Sequence, residues 1–131
     1  MDAQNTHLAI SSDLVGKVEY IESGKSARVT LETNEKMKAD DQDLIHGGFT
    51  FGLADYAAMV AVNSPFVVLL SASVFFRKPV IVGDTLTARA SVTDAEGQRK
   101  KVCCEVFNQQ NVKVFEGEFQ CMVLKSHILA R

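Results

Sequence analysis

The sequence contains no tryptophan, only two prolines and only three cysteines among its 131 residues. The cysteines, Cys103, Cys104 and Cys121, are odd in number and lack CxxC spacing, which argues against both a disulfide framework and a zinc site. We therefore expect structural thiols, no metal, and a location in the reducing cytoplasm.

An excess of basic charge is also missing, because 14 lysines and arginines stand against 16 aspartates and glutamates. Nothing in this balance points to nucleic acid or to an anionic membrane surface as a partner. The chain opens without a cationic, apolar leader, so we expect no signal peptide. Its most apolar stretch, residues 49–82, is interrupted by Asp55, Asn63 and Pro65 and never provides the roughly 20 apolar residues of a membrane span.

The residues that are present suit a single domain over residues 1–131. Hydrophobic residues make up 47% and charged residues 23%, which is ordinary for a globular protein, and no repeat or linker divides the chain. A domain of this length buries roughly two-thirds of its unfolded surface, so it is large enough to form a hydrophobic core.

One helix and a run of strands are predicted from the apolar pattern. Residues 47–63 are rich in Ala, Leu, Phe and Met, with Asp55 as their only formal charge, which is typical of a buried helix that Pro65 would end. We predict an α+β fold in which one long antiparallel sheet wraps around one central apolar helix. The predicted strands are residues 18–22, 27–32, 66–76, 85–93, 101–107 and 112–124.

The richest local signal for function is His46-Gly47-Gly48 at the helix start, with Asp55 further on. Two glycines there leave free backbone N–H groups at the positive end of the helix dipole and permit close approach by a substrate. Such a site suits a carbonyl oxygen that gains negative charge during acyl transfer. A lone carboxylate in an apolar helix is costly, so Asp55 is a catalytic candidate, with a satisfied buried acid as the alternative. His46 is expected to position the helix start.

Asp55 lies eight positions after Gly47, about 12 Å along a helix axis, so one reacting carbonyl cannot touch both groups of the same helix. Two antiparallel helices across a twofold axis would bring Gly47 of one subunit to Asp55 of the other. The helix also has more apolar surface than one sheet covers, which favours a homo-oligomer, most simply a dimer. A homodimer and a homotetramer built as a dimer of dimers both remain open.

The segment HGGFTFGLAD, residues 46–55, resembles the HGG-x6-D signature of the PaaI-like branch of the hotdog-fold thioesterases. Downstream, residues 77–84, RKPVIVGD, are similar to the P-x-x-x-G-D strand end of that family. The resemblance implies a hotdog fold and hydrolysis of acyl-CoA thioesters without a metal or organic cofactor, with coenzyme A as part of the substrate. It also implies that Gly47 contributes an oxyanion N–H and that Asp55 acts as the nucleophile or as the base for water.

The sequence departs from the family pattern at two positions. Asp40 stands where members often carry asparagine, and it brings a second acid near the site. Leu69 stands where many members have a serine or threonine that orients water. Ser71 and Ser73 follow two and four residues later, and strand alternation predicts that they share the face of Leu69, where either would substitute for the missing hydroxyl.

The phosphate groups of CoA need cationic partners, and basic residues cluster in two segments of the chain. By resemblance, residues 76–81 and 98–102 border the CoA groove; solvated strand-end charges are the alternative. Phenylalanines are candidates for the wall of an acyl pocket, with core packing as the alternative. The predicted CoA contacts are Phe76, Arg77, Lys78, Pro79, Arg99 and Lys100, and the phenylalanines are Phe49, Phe51, Phe66 and Phe75.

Three functions compete. The first is hydrolysis of an acyl-CoA thioester, and the second is a non-catalytic, regulatory acyl-CoA-binding module. The third, a hotdog dehydratase or hydratase, would need a histidine in a proline-rich loop before a helical glutamate, whereas this chain lacks such a loop and its acid is an aspartate in a different spacing. The acyl group, and the choice between nucleophile and general base for Asp55, remain open.

Overall fold

Six strands and two α-helices make up the computed structural model, which describes residues 1–130. A short 3-10 turn at Glu35–Met37 precedes the longer helix. The elements are α1 (Ser12–Val15), β1 (Lys17–Glu22), β2 (Ser26–Glu32), α2 (Gly47–Val62), β3 (Val67–Phe76), β4 (Thr85–Glu96), β5 (Arg99–Phe107) and β6 (Lys113–Val123).

The six strands form one sheet in the order β1-β2-β4-β5-β6-β3, and every neighbouring pair is antiparallel. The inner face of this sheet packs on α2, and the predicted α+β fold is confirmed. After α2 the chain continues into β3, which lies at the edge of the sheet opposite β1. As an edge strand, β3 pairs with β6 alone. Within residues 1–130, no strand pairs with the other edge of β3.

The central helix is nearly all buried, as its apolar sequence predicts. Ala54, Ala58 and Ala61 have no exposed surface, and such small side chains let the helix backbone approach the sheet closely. The helix ends at Asn63, whose left-handed backbone (φ 56°) closes the last turn. The side-chain Nδ2 of Asn63 also donates a hydrogen bond to the carbonyl oxygen of Ala3 at 2.8 Å, which ties the N-terminal segment to the helix end.

The hairpin between β4 and β5 is longer than predicted. Cross-strand pairs continue to Ala95 opposite Lys100 and Glu96 opposite Arg99, so the strands extend beyond the expected 85–93 and 101–107. Gly97 supplies the left-handed turn residue (φ 59°) that lets the ladder run to its tip. Among residues 1–130, no helix is long and apolar enough to cross a membrane, and no group of three His, Cys, Asp or Glu side chains is placed to hold a metal ion.

Candidate active site

The loop before α2 fixes the position of the helix start. Asp40 Oδ1 accepts hydrogen bonds from the backbone N–H groups of Gln42 (2.9 Å) and Leu44 (3.2 Å). The N–H of His46 donates to the carbonyl oxygen of Met37 at 2.9 Å. The exposed Asp40 carboxylate is therefore engaged by its own turn, and its contact with substrate stays a prediction.

The helix start offers free backbone donors beneath an aromatic ring. His46 is the N-cap of α2 and its side chain does not cap the first turn, so the N–H groups of Gly47 and Gly48 have no acceptor one turn earlier. A Cβ atom added to Gly47 would lie 3.1 Å from Cε1 of Phe76. Glycine at this position lets the Phe76 ring pack directly against the helix start.

A cavity of about 230 Å³ opens at this helix start. It brings Gly47 together with the segment Phe76–Pro79, which the sequence analysis placed in the CoA groove by resemblance. The cavity is mostly apolar with cationic residues at its rim, a combination that suits a thin polar arm carrying anionic groups. Its lining residues are Leu44, Ile45, Gly47, Thr50, Phe76, Arg77, Lys78, Pro79, Val80 and Val114.

Asp55 lies in the middle of α2 with an incompletely satisfied carboxyl group. Its Oδ1 is buried and has no hydrogen-bond partner within residues 1–130. Burial raises the pKa of the Asp55 carboxyl from its ordinary value of 3.8 to about 6. A carboxylate with this pKa is ionised at neutral pH and is a stronger base than a solvated aspartate, which suits proton abstraction or nucleophilic attack.

The side chain of Asp55 faces the β6 side of the sheet, next to the free β3 edge. Phe51, one turn earlier on α2, packs against Phe119 of β6 with 5.7 Å between ring centroids. Cys121 is the next inward-facing residue of β6; burial, and then the nearby charge of Asp55, raise the pKa of its thiol to about 12. Sequence reasoning did not connect Cys121 with Asp55, because only the strand arrangement makes them neighbours.

The predicted site residues are divided between two ends of one chain. Asp55 lies about 12 Å along the helix from Gly47 and does not line the cavity at the helix start. Arg99 and Lys100 border a separate depression of about 170 Å³ at the β4–β5 hairpin. A single chain therefore brings Gly47 to the segment Phe76–Pro79 but leaves Asp55, Arg99 and Lys100 apart from it.

The basic residues near the cavity differ in their environments. The Nε of Arg77 donates to Glu116 Oε2 at 3.0 Å, and its guanidinium lies 4.6 Å from the ring centroid of Phe75. Phe75 itself is 54% exposed on the outer face of the sheet, opposite α2, and its predicted contact with an acyl group stays a prediction. Lys78 is exposed at the cavity rim, where its ammonium group is available to an anion.

A β-bulge at Leu70 changes the predicted direction of Ser71 and Ser73. Leu69 lies opposite a buried residue of β6, and the register then shifts, so Ser71 lies opposite a residue of the outer face. Ser71 and Ser73 therefore point away from α2 and Asp55. The expectation that they share the face of Leu69 was wrong, because simple alternation does not anticipate the additional residue of a bulge.

The raised pKa predicts that Asp55→Asn stabilises the protein above pH 6. Between the ordinary pKa of 3.8 and the folded pKa of about 6, the unfolded chain releases this proton while the folded chain keeps it, so stability falls as pH rises. Above pH 6 the cost is constant at about 3 kcal/mol, which the neutral asparagine avoids. Urea titrations should show a gain near that size at pH 8 and almost none at pH 3. An equal effect at both pH values would contradict the burial of a charged Asp55.

Residues 42–115 match the family model of the thioesterase superfamily, and the chain belongs to this superfamily. Its long antiparallel sheet around one helix is the hotdog fold. The resemblance to the PaaI-like branch is also confirmed: the acyl-coenzyme A thioesterase PaaI of Escherichia coli (strain K12) is 30% identical over 88% of this chain and 87% of that protein. The structure of E. coli PaaI superimposes with a TM-score of 0.80.

Other relatives differ in length and name. A methylthioribose-1-phosphate isomerase of Aquifex aeolicus (strain VF5) is 53% identical over 87% of this chain, but the chain spans only 25% of that protein. A transcription factor FapR of Caldanaerobacter subterraneus subsp. tengcongensis is 25% identical over 93% of this chain and 60% of its own length. The crystal structure of an uncharacterized protein, PH1136 from Pyrococcus horikoshii, is 50% identical, covers 98% of both chains and has a TM-score of 0.95.

Proposed function

We propose that this protein hydrolyses an acyl-CoA thioester to a free acid and CoA, with Asp55 as its catalytic carboxylate. The observation that carries the proposal is the buried Oδ1 of Asp55, which has no hydrogen-bond partner within residues 1–130 on a helix that begins with two glycines. A buried carboxylate without a partner costs free energy in the folded state. Catalysis explains why the chain keeps it.

The reaction needs two groups to act on one thioester. The Gly47 N–H donates a hydrogen bond to the carbonyl oxygen as negative charge develops there. Asp55 either removes a proton from an attacking water or attacks the carbonyl carbon itself, giving an anhydride that water then opens. In both cases the carbon–sulfur bond breaks, the electron pair leaves on the CoA sulfur, and a proton restores the thiol. The proposed reaction uses no metal and no organic cofactor.

A twofold dimer through β3 would unite the two groups. β3 is a ten-residue edge strand without proline or charge, the kind of edge that pairs readily with another strand. Antiparallel pairing of two β3 strands extends the sheet across both chains and sets the two α2 helices antiparallel on one face. Because Asp55 faces the β6–β3 side, it would then approach the helix start of the partner.

The same arrangement would place cations from both chains around CoA. Lys78 and Arg77 border the cavity at the helix start. Lys100 lies opposite Cys121, the neighbour of Asp55, so Arg99 and Lys100 lie toward the Asp55 end of the sheet. In an antiparallel dimer these two ends come together. One solved relative, smu.793 from Streptococcus mutans UA159, is described as bound to acetyl CoA; it is 26% identical, covers 93% of this chain and 99% of its own, and has a TM-score of 0.78.

A non-catalytic acyl-CoA-binding module is the second candidate. The similarity to FapR, which is named a transcription factor, favours it. The β3 register also favours it, because Leu69 faces inward where the family often has a hydroxyl, while Ser71 and Ser73 face outward. Without a hydroxyl to orient water, acyl-CoA would bind and turn over slowly or not at all.

A panel of aryl, short-chain and medium-chain acyl-CoAs, assayed with a thiol reagent, separates the two candidates. We expect release of free CoA from at least one substrate at more than a hundredfold over the rate without protein, since one positioned acid–base group contributes about 10²–10⁴-fold. Tight binding of every acyl-CoA with no thiol release would contradict hydrolysis and support the binding module.

A further inference from the structure

A carboxylate that the proposed mechanism does not use is buried immediately before β4. Asp84 is 8% exposed, and no salt bridge within residues 1–130 involves it. Its Oδ2 accepts a hydrogen bond from the N–H of Ile81 at 3.0 Å, and its Oδ1 accepts one from Nε2 of Gln109 at 2.9 Å. Both oxygens of the carboxylate therefore hold other parts of the chain in place, with no paired cation to offset the charge.

The carbonyl oxygen of Ile81 is held as firmly as its N–H. It accepts from the N–H of Asp84 at 3.1 Å, across a tight turn that Gly83 makes with φ 96°. The hydroxyl of Thr33 is shared between this oxygen at 3.0 Å and the carbonyl oxygen of Asp84 at 2.8 Å. The N–H of Thr33 donates to the same Asp84 oxygen at 3.0 Å. Asp84 and Thr33, which follows β2, thus attach Ile81 to the sheet.

Residues 80–82 pair with residues 43–45 in a short antiparallel ladder that leads to the candidate site. The N–H of Ile45 donates to the carbonyl oxygen of Val80 at 2.8 Å, and a second backbone bond of 2.9 Å joins the other end of the two segments. The chain then passes from Ile45 directly into His46, the N-cap of α2. The segment that Asp84 anchors is therefore paired with the segment that carries the helix start.

Both paired segments border the cavity at the helix start. Ile45 and Val80, which share a hydrogen bond, line this cavity together with Gly47 and Phe76–Pro79. Asp84 is not one of the lining residues, so any effect that it has on a ligand is indirect. The width of the cavity between Gly47 and Phe76–Pro79 depends on the hydrogen bonds that Asp84 accepts.

We propose that Asp84 is a positioning residue for the CoA moiety of the substrate. It fixes Ile81 and thereby holds the Phe76–Pro79 side of the cavity at the width that the pantetheine arm of CoA requires. The inference rests on the proposed function, since it takes CoA as the ligand of this cavity. The arm makes the same contacts in the ground state and in the transition state, so this positioning contributes to KM and not to kcat.

The direction of the effect separates positioning from simple electrostatics. CoA is an anion, so loss of the Asp84 charge would by itself strengthen CoA binding. Loss of positioning weakens it. Asp84→Ala removes both the charge and the acceptor of the Ile81 N–H. We expect the net affinity for CoA to fall by about tenfold, because leaving one buried donor without its acceptor commonly costs such a factor.

Two further variants divide the network. Asp84→Asn removes the same charge but keeps a carbonyl oxygen that accepts the Ile81 N–H, so CoA should bind within about twofold of the wild type or more tightly. Thr33→Val removes the hydroxyl that Ile81 and Asp84 share, with almost no change of shape and no change of charge. It should weaken CoA binding severalfold, and it keeps the test valid if Asp84→Ala does not fold.

Isothermal titration calorimetry with CoA gives the Kd of each protein, and circular dichroism checks its fold. With an acyl-CoA substrate, KM should rise in parallel with Kd while kcat stays within about twofold of the wild type. A merely structural role would instead lower the amount of active protein, and so kcat per chain, and leave KM and Kd unchanged.

Three results would overturn the proposal: unchanged Kd in both Asp84→Ala and Thr33→Val, tighter binding by Asp84→Ala, or equal losses in Asp84→Ala and Asp84→Asn. Failure of the proposed hydrolysis gives a different result. A wild type that binds CoA but releases no thiol would contradict hydrolysis alone, and the Kd values would still decide the role of Asp84. A wild type that binds no CoA would overturn both proposals.

Discussion

Asp55→Asn should lower kcat/KM for acyl-CoA hydrolysis by about a hundredfold or more while the protein remains folded. Asparagine keeps the size of the side chain but can neither accept a proton from water nor attack a carbonyl carbon. Because the substitution also removes a buried charge, the variant should be more stable than the wild type at pH 8. Lost activity together with increased stability identifies a functional group rather than a structural one.

The catalytic role of Asp55 also predicts how kcat/KM of the wild type depends on pH. The reactive form of Asp55 is the carboxylate, and burial holds its pKa at about 6. kcat/KM should be level above pH 7 and should fall tenfold for each pH unit below about 5, as the carboxylate is protonated. Asp55→Asn should lack this dependence in whatever slow rate remains.

Asp13→Asn is the matched control, since it makes the same chemical change at an exposed carboxylate on α1. It should leave both the rate and the pH profile unchanged. Turnover by Asp55→Asn within about twofold of wild type would remove Asp55 from the mechanism, whatever the stability measurements show.

Gly47→Pro should cost about 10²–10³-fold in kcat, because it deletes the N–H that stabilises the oxyanion. Proline suits the first position of a helix, where the N–H has no helical partner. His46 already has an extended backbone (φ −61°, ψ 130°), which a residue before proline prefers. The substitution should therefore remove the donor without disturbing α2.

Gly47→Ala is the control for side-chain bulk. The alanine keeps the N–H and adds a Cβ that would lie 3.1 Å from Cε1 of Phe76. Phe76 is 56% exposed and can move by the few tenths of an ångström required, so we expect less than a tenfold loss of kcat. Equal losses in the two variants would assign the effect to crowding against Phe76 and not to the oxyanion contact.

The two variants in one mixture test whether the site is shared between chains. A heterodimer of Asp55→Asn and Gly47→Pro chains contains one site with both defects and one site with an intact glycine and an intact aspartate. Random exchange makes half of the dimers mixed, so about a quarter of the wild-type activity should return. A mixture as inactive as its components would show that each site is formed by a single chain.

The sequence alone predicted the central helix, the α+β class and the two ends of the candidate site. These features depend on local signals: a run of apolar residues at 47–63, glycines at its start, and one carboxylate that an apolar helix does not otherwise tolerate. The family resemblance added the CoA groove at 76–81, and the cavity beside Gly47 contains Phe76–Pro79 from that segment. Helix boundaries were well predicted because Gly47 and Pro65 act on their own backbone neighbourhood.

Only the tertiary structure decided which side chains meet across strands. The bulge at Leu70 reversed the predicted face of Ser71 and Ser73, because one additional residue changes every later side-chain direction in a strand. The position of Cys121 beside Asp55 and the outward direction of Phe75 depend on strand order and register. Those are long-range properties of the sheet, set by pairing between distant segments, and no local pattern in the chain encodes them.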